Sequence, residues 1–331
     1  MRRNYVLLLC LIACSSSKQR ATSTNTQLKS SPTETVVSHE STSTQKPMLL
    51  WPDRRPIGMI MLASYIEPYR KGNRQWKLGG LYQFSKEALM KHADQSIANM
   101  KTLNAQGMVT WDIEGQEYPT PVSYVGDPTL LNRLAPEMNT LADAYFKRFT
   151  DQGFKVGICI RPDSLVLAKG WAYHYSVKDA LSNMIRKIAY AQKRWGCTLF
   201  YVDSNVWPGP DIENNMGLGG LMAPVIFKDL AEKFPDCLIM PEHEGEGDYW
   251  KFTAPYGDLQ HFRIDVPRKV KATYPKSFQV LIIGDATVTD VQLQHSVQEG
   301  NILMFRAWYP DPVNERIRRA YQKSGNRKYI N

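Results

Sequence analysis

The chain has 331 residues, a formal net charge of +9 at pH 7 and 43% hydrophobic residues, enough apolar material for one large domain or two small ones. The excess positive charge suggests anionic partners such as lipid head groups or acidic glycans, but a solvated basic surface is the simpler explanation. The five cysteines form no CxxC pair, which argues against a cysteine-built zinc site, and the sequence has no nucleic-acid recognition motif.

The N-terminus, MRRNYVLLLCLIAC, has the pattern of an export signal. Arginines precede an apolar run of about eight residues, which is too short to span a bilayer as a mature helix. The run ends Leu11-Ile12-Ala13-Cys14, which resembles the bacterial lipobox, so we predict a signal peptide over 1–13 and lipidation of Cys14. The resemblance implies a bacterial envelope lipoprotein, and Ser15 after the cysteine implies the outer membrane. The alternative is an ordinary signal peptide in which Cys14 has no special role.

A low-complexity segment separates this signal from the rest of the chain. Serine and threonine dominate residues 15–50, and aromatic residues are absent. Such a segment cannot bury enough apolar surface to offset the entropy lost on ordering. We therefore predict a lipidated, disordered linker over 14–50. Because no second segment of this kind follows, we predict a single domain over 51–331.

Short apolar runs, each ending near a polar or charged residue, recur through this domain. Runs without polar alternation are typical of strands buried on both faces, as in a parallel sheet covered by helices. The predicted strands are 58–65, 107–115, 155–163, 198–205, 237–245, 259–265, 278–285 and 301–309.

Amphipathic segments with helical spacing lie between these strands, and several end on a glycine suited to a helix C-cap. The alternation of strand and helix predicts a closed (β/α)8 barrel, and a doubly wound open sheet is the alternative fold. No GxGxxG motif supports the nucleotide site that an open sheet often carries. The predicted helices are 85–107, 127–153, 177–196, 223–236 and 289–300.

Acidic residues gather at the carboxyl ends of the predicted strands, where such a barrel builds its active site. The starts of the same strands carry no acid. Glycoside hydrolysis needs two carboxylates facing one bond, so this pattern predicts a carbohydrate site. The candidate substrate-binding residues are Asp112, Glu114, Arg161, Asn205, Glu244 and Arg263, with Trp111, Trp207 and Trp308 as rings that can stack on sugars.

The stretch YAQKRWGCTLFYVDSN, residues 190–205, resembles the approach to the fourth strand of α-galactosidase and α-glucosidase type barrels. The resemblance implies that Asp203 is the nucleophile. It also implies that Asp265, in HFRID at 261–265, is the acid/base at the sixth strand, and that WDIEG at 111–115 binds substrate. Tyr201 stands where these enzymes usually have a lysine.

The loop MPEHEGEG after the fifth strand offers a different partner for Asp203. Glu242 or Glu244 could be the second acid, or the loop could be a solvated turn. Asp112, Glu242, His243 and Glu244 could also bind a divalent cation, but their spacing is not diagnostic and we predict no metal.

We therefore predict an exported, lipid-anchored (β/α)8 protein that hydrolyses carbohydrate. Asp203 would act as nucleophile or base, and Asp265 or Glu242 as acid. The predicted partners are a carbohydrate substrate and the membrane, with no cofactor and no nucleic acid. The alternatives are a glycan-binding lipoprotein without catalysis, and a structural envelope lipoprotein whose basic surface docks to an anionic polymer.

Overall fold

Eight parallel strands and the helices between them form a nearly closed (β/α)8 barrel in the computed structural model. The structure describes residues 49–62, 64–66, 76–78, 85–117, 125–168, 171–175, 179–208, 218–243, 247–258, 265–283 and 288–324. The barrel strands are β1 (Ile57–Met61), β2 (Gly107–Trp111), β3 (Lys155–Ile160), β4 (Leu199–Val202), β5 (Leu238–Pro241), β6 (Tyr256–Asp258), β7 (Val280–Ile283) and β8 (Ile302–Arg306).

The strands are hydrogen-bonded in the order β5-β4-β3-β2-β1-β8-β7-β6, and every neighbouring pair is parallel. Between the end members, the Ala254 N–H donates to the Ile239 carbonyl at 3.0 Å, which links the approach to β6 with β5. Gly157 in β3 allows close packing, because a Cβ there would lie 2.0 Å from the Leu199 carbonyl oxygen. The predicted barrel is confirmed, and the open sheet is excluded.

The sixth strand lies earlier in the chain than the sequence predicts. The prediction places it over 259–265, whereas β6 spans Tyr256–Asp258 and pairs with β7 through Tyr256 and Val280. Asp265 lies in a bend, and residues 259–264 fall outside the described part of the chain. The predicted position is wrong because β6 carries almost no apolar signal. Strand β6 is held in the sheet by backbone hydrogen bonds to β7.

Helices follow the barrel strands and pack around them. Ser85 caps the first helix by accepting from the Ala88 N–H, and Thr289 and Gln292 form a capping box at the start of the helix that begins at Asp290. No helix within the described residues has the length and apolar character needed to cross a bilayer. The helices are α1 (Lys86–Thr102), α2 (Leu131–Leu134), α3 (Pro136–Asn139), α4 (Ala142–Thr150), α5 (Ala180–Trp195), α6 (Pro224–Lys233), α7 (Tyr249–Phe252), α8 (Arg268–Thr273), α9 (Asp290–Gln298) and α10 (Pro312–Lys323), with a 3₁₀ turn over Pro128–Leu130.

Alternate residues of the strands enter two separate cores. Side chains such as Met59 and Leu199 fill the barrel interior, whereas Ile60 and Phe200 pack between the barrel and the helices. Both faces of the sheet are therefore buried, which explains the continuous apolar runs in the sequence. The cysteines of the described chain are buried and free: Cys159, Cys197 and Cys237.

Short strands extend the connections that leave the carboxyl ends of β1 to β4. Ser164–Ala168 pairs with Trp171–Tyr175, and Val206–Pro208 pairs with Leu218–Leu221. Ser64–Ile66 lies between Trp76–Leu78 and Gln116–Glu117 in a three-stranded sheet. These segments begin where the strands end, so they add to the side of the barrel that carries the predicted site.

Candidate active site

Asp203, directly after β4, forms a buried ion pair with Arg161, directly after β3. The Arg161 Nε donates to Asp203 Oδ2 at 2.6 Å, and its Nη2 donates to Ser204 Oγ at 2.8 Å. Only 12% of the Arg161 side chain and 9% of the Asp203 side chain are exposed. The Asp203 N–H also donates to the Ile160 carbonyl at 2.9 Å, which aligns the two strand ends. Asp203 therefore has a fixed position and a buried counter-charge.

Glu242, directly after β5, brings a second carboxyl group to Asp203. Its Oε2 accepts from the Ser204 N–H at 2.7 Å, and its carboxyl group also hydrogen-bonds to Asp203. Burial, and then the charge of Asp203, raise the pKa of Glu242 to about 8, whereas Arg161 acts in the opposite direction. At neutral pH Glu242 is therefore protonated and donates to Asp203.

Ser204 connects these three residues through an unusual backbone conformation. Its φ angle is 53°, in the left-handed region that residues other than glycine rarely adopt. The turn directs its N–H towards Glu242 and its hydroxyl towards Arg161. Strained backbone of this kind concentrates at functional sites.

Asn205 fastens the loop after β4 to the loop after β5. Its Nδ2 donates to the His243 carbonyl at 2.8 Å, and its Oδ1 accepts from the His243 N–H at 2.7 Å. The residue is fully buried, and its carbonyl accepts from the Met222 N–H at 3.1 Å. Backbone groups occupy both ends of the amide, so Asn205 holds the two loops together in this structure. Its predicted contact with substrate stays a prediction.

His243 lies at the outer edge of the carboxyl pair. Its Nε2 is 3.5 Å from Glu242 Oε2, and 41% of its side chain is exposed. Burial lowers the pKa of His243 and Asp203 opposes this effect, so the imidazole is neutral at pH 7. Within the described residues, no group of three or more His, Cys, Asp or Glu is placed to hold a metal ion.

Asp112 and Glu114, which follow β2, are more deeply buried than the prediction of substrate contact implies. Asp112 has a φ angle of 52°, and its Oδ1 accepts from the Leu62 N–H at 3.1 Å. Burial raises the pKa of Glu114 to about 8, with a smaller contribution of the same sign from Asp127. Glu114 Oε1 has no hydrogen-bond partner in the described part of the chain. Glu114 is therefore a buried, neutral acid at pH 7.

A buried lysine on α5 holds the backbone around Arg161. The Lys187 Nζ donates to the carbonyls of Arg161 and Asp163, both at 2.7 Å, and lies 3.9 Å from Asp127 Oδ2. None of its side chain is exposed. Arg186 pairs with the same Asp127 at 2.8 Å but remains partly exposed. Lys187 thus connects the helix layer to the loop that carries Arg161.

Aromatic rings line the barrel interior beside the carboxyl pair. The Trp111 and Tyr201 ring centroids are 4.9 Å apart, and those of Tyr201 and Tyr256 are 5.2 Å apart. Trp111 is only 5% exposed, and it packs against Tyr201 inside the barrel. Trp308 is partly buried, packs against both cores and lies edge-on to Tyr309 at 5.3 Å.

Asp265 makes no described contact with Asp203 or Glu242. Its side chain is 49% exposed, and its Oδ2 lies 3.3 Å from Nε2 of His295 on α9. The prediction of Asp265 as acid/base depended on a sixth strand ending at 265, and the observed strand ends at Asp258. Three predicted contacts fall outside the described side chains: Trp207, Glu244 and Arg263. Cys14 also lies outside the described residues.

Three residues of the site are not among the predicted ones: Ser204, Lys187 and Asp127. Lys187 does leave a signal, because a lysine interrupts the apolar face that Met184 and Ile188 form on α5. Asp127 precedes a proline and accepts from the Thr129 N–H, which is the pattern of a helix cap. Ser204 leaves no signal, because its role depends on a backbone angle.

Comparison with known proteins gives similarities of fold only. No family model matches the chain, and no curated protein matches it. The maltogenic α-amylase AmyB from Thermotoga neapolitana is 12% identical with a TM-score of 0.49, covering 84% of this chain and 77% of that one. The α-galactosidase from Lactobacillus brevis is 10% identical with a TM-score of 0.48, covering 84% of this chain and 41% of that one.

A third solved structure, α-L-fucosidase isoenzyme 1 from Paenibacillus thiaminolyticus, is 13% identical with a TM-score of 0.41. The match covers 83% of this chain and 75% of that one. This chain therefore spans less than half of the α-galactosidase and about three quarters of the other two. At these identities and scores, a functional proposal depends on the site itself.

Proposed function

We propose that this protein hydrolyses glycosidic bonds, with Asp203 as nucleophile or base and Glu242 as acid. The observation that carries the proposal is the hydrogen-bonded pair of unlike carboxyl groups. Asp203 has the Arg161 guanidinium as its counter-charge, and Glu242 retains its proton up to a pH of about 8. Two carboxyl groups whose environments separate their protonation states can divide the acid and base roles of this reaction.

In the proposed reaction Glu242 gives its proton to the glycosidic oxygen while the bond from that oxygen to the anomeric carbon breaks. Asp203 either attacks the anomeric carbon or takes a proton from the water that attacks it. The carboxyl groups of retaining enzymes are about 5–5.5 Å apart, which is farther than a hydrogen-bonded pair. The glycosidic oxygen would therefore replace Asp203 as the acceptor of the Glu242 proton when substrate binds.

A second candidate function, carbohydrate binding without hydrolysis, is favoured by the same hydrogen bond. Carboxyl groups that remain bonded to each other leave no space for a scissile bond between them. In this case the two carboxyl groups would only present hydrogen-bonding atoms to a sugar. Both candidate functions need carbohydrate to bind at Asp203 and Glu242, but only the first includes hydrolysis of the bound sugar.

A panel of nitrophenyl glycosides and oligosaccharides tests the proposal. We expect the parent chain to hydrolyse at least one compound, and we expect Asp203→Asn to lower kcat by about 10²–10⁴-fold while oligosaccharide binding persists. Asp265→Asn tests which of the two predicted acids, Glu242 or Asp265, acts in the reaction. Asp265 is half exposed and contacts His295 in place of the carboxyl pair. We expect this variant to retain the parent kcat within about twofold.

Three outcomes would change the assignment. Binding without turnover by the parent chain would favour the second candidate. Turnover that survives Asp203→Asn would remove Asp203 from the reaction. Loss of turnover in Asp265→Asn would return the acid role to the position that the sequence resemblance implies.

We also propose that the protein is an exported lipoprotein of the bacterial envelope, anchored through Cys14. The support for this proposal is the N-terminal sequence, in which Cys14 ends a lipobox-like run after a basic and an apolar segment.

A further inference from the structure

Lysine and arginine gather on the face of the barrel opposite the strand tips. In a βα barrel each helix runs back along the sheet, so its C-terminus lies near the amino ends of the strands. The last turns of the helices carry Lys101 in α1, Lys147 and Arg148 in α4, Lys193 and Arg194 in α5, Lys233 in α6, Lys251 in α7, Lys271 in α8 and Lys323 in α10.

Further basic residues lie in the connecting segments at the same end. Arg54 and Arg55 precede β1, Lys155 begins β3 and Lys276 precedes β7. The helix dipole favours a cation in a last turn, but it does not explain cations in these segments. We use the term basic face for the helix-end residues of the preceding paragraph together with these four.

The acids at this end only partly balance the basic face. Glu299 lies 4.0 Å from Lys271, and Glu232 pairs with Lys228, which is not part of the basic face. Asp53 pairs with Arg55 and Lys155, Asp151 pairs with Lys147, and Asp236 is a further acid at this end. Asp94 and Asp143, which lie earlier in α1 and α4, pair with Arg148 and Arg194 of the basic face. Four exposed lysines of the basic face have no carboxylate partner in the described structure: Lys193, Lys233, Lys276 and Lys323.

The chain enters the barrel from the basic face. The Leu49 N–H donates to the Lys251 carbonyl at 2.9 Å. Two residues later, the Trp51 Nε1 donates at 2.9 Å to the Oε1 of Gln106, which immediately precedes β2. Residues 49–51 therefore lie at this end of the barrel. The Asp203 and Glu242 carboxyl groups lie at the other end.

We propose that the basic face docks on anionic lipid head groups of the leaflet that holds the predicted anchor, with the strand tips turned away from it. Attraction between basic residues and an anionic leaflet acts within a Debye length, about 8 Å at physiological salt, so an anchor on the same side keeps the face in range. Lysine suits this role because its ammonium group is a compact charge on a flexible stem. The inference depends on the anchor and is independent of hydrolysis.

Lysine acetylation of the full chain bound to vesicles tests the proposal. We compare vesicles with about 30 mol % phosphatidylglycerol and vesicles of phosphatidylcholine alone. We expect Lys193, Lys233, Lys276 and Lys323 to be acetylated at least about fivefold more slowly on the anionic vesicles, and the protection to disappear at about 0.5 M NaCl. Lys86 and Lys91, exposed near the start of α1 at the other end of the barrel, serve as internal controls and should react equally on both.

A matched pair of charge variants separates the face from the net charge. The first replaces Lys193, Lys233, Lys276 and Lys323 by Gln, and the second replaces Lys86, Lys91, Arg133 and Arg268 by Gln, all of them exposed. For each variant we measure how fast Lys101 on the basic face is acetylated on the anionic vesicles. Only the first variant should lose the protection of Lys101. The proposal would be overturned by equal loss of Lys101 protection in both variants, by protection on vesicles of phosphatidylcholine alone, or by protection of Lys86 and Lys91. As a further arm, soluble alginate replaces the vesicles, and protection by alginate but not by vesicles would also overturn the proposal.

Discussion

At the scale of single residues, the proposed site depends on one proton held between the carboxyl groups of Glu242 and Asp203. Glu242 retains it because burial and Asp203 both oppose its ionisation, and the Ser204 N–H only partly offsets them. Asp203 faces Arg161 instead. The roles of the two acids therefore follow from their surroundings, since their side chains have the same chemistry.

The buried amine of Lys187 gives a prediction at this scale. Replacing Lys187 by Met leaves the carbonyls of Arg161 and Asp163 without their donor, so we expect the free energy of unfolding to fall by about 2–4 kcal/mol. Because the same loop positions Arg161, kcat should fall by about tenfold or more while KM changes little. Chemical denaturation and steady-state kinetics measure the two effects.

Arg186→Gln is the matched control for Lys187→Met. Arg186 pairs with the same Asp127 but donates to neither loop carbonyl, and its side chain is 44% exposed. We expect this variant to keep the parent kcat. A loss of stability in Lys187→Met without any loss of kcat in the folded protein would reduce Lys187 to a structural role.

At the scale of elements, apolar runs reveal strands only where both faces of the strand are buried. This condition holds for β4, in which Leu199 and Phe200 point to opposite cores, so the sequence predicts its position and the acid at its tip. It fails for β6, whose residues are Tyr, Gly and Asp. The error at β6 carries over to the site, because it makes Asp265 appear to be a strand-tip acid.

The sequence limits the second acid that pairs with Asp203 to a few candidates but does not choose among them. Glu242 and Asp265 both follow predicted strands, and the predicted barrel does not show which of the two side chains reaches Asp203. The order of hydrogen-bonded strands makes β5 the neighbour of β4, and Asn205 then locks the two loops together. Such contacts join residues far apart in the chain, so no local pattern encodes them.

At the scale of the whole molecule, the charges are unevenly distributed along the barrel. The strand tips carry Asp112, Asp203 and Glu242, whereas the helix ends at the other face carry lysine and arginine. This distribution suits the proposed docking, in which the basic face meets the lipid and the strand tips face away from it.

The predicted anchor gives a test at this scale. We expect the full chain, expressed in a bacterium with lipoprotein export, to incorporate labelled palmitate and to sediment with the outer membrane. Cys14→Ser should lose the label and most of the membrane association, because a single weak contact does not hold a protein stably at a bilayer. Label that persists in Cys14→Ser, or unlabelled parent protein, would contradict the lipoprotein assignment.

The pH dependence of kcat/KM tests the shared proton most directly. Glu242 must be protonated to act as the acid, so we expect kcat/KM to fall as the pH rises through about 8, the raised pKa of Glu242. Glu242→Gln should have a lower kcat/KM and should lack this alkaline limb, because glutamine does not titrate. A parent profile that already falls near pH 5, or an alkaline limb that persists in Glu242→Gln, would contradict the assignment of Glu242 as the acid.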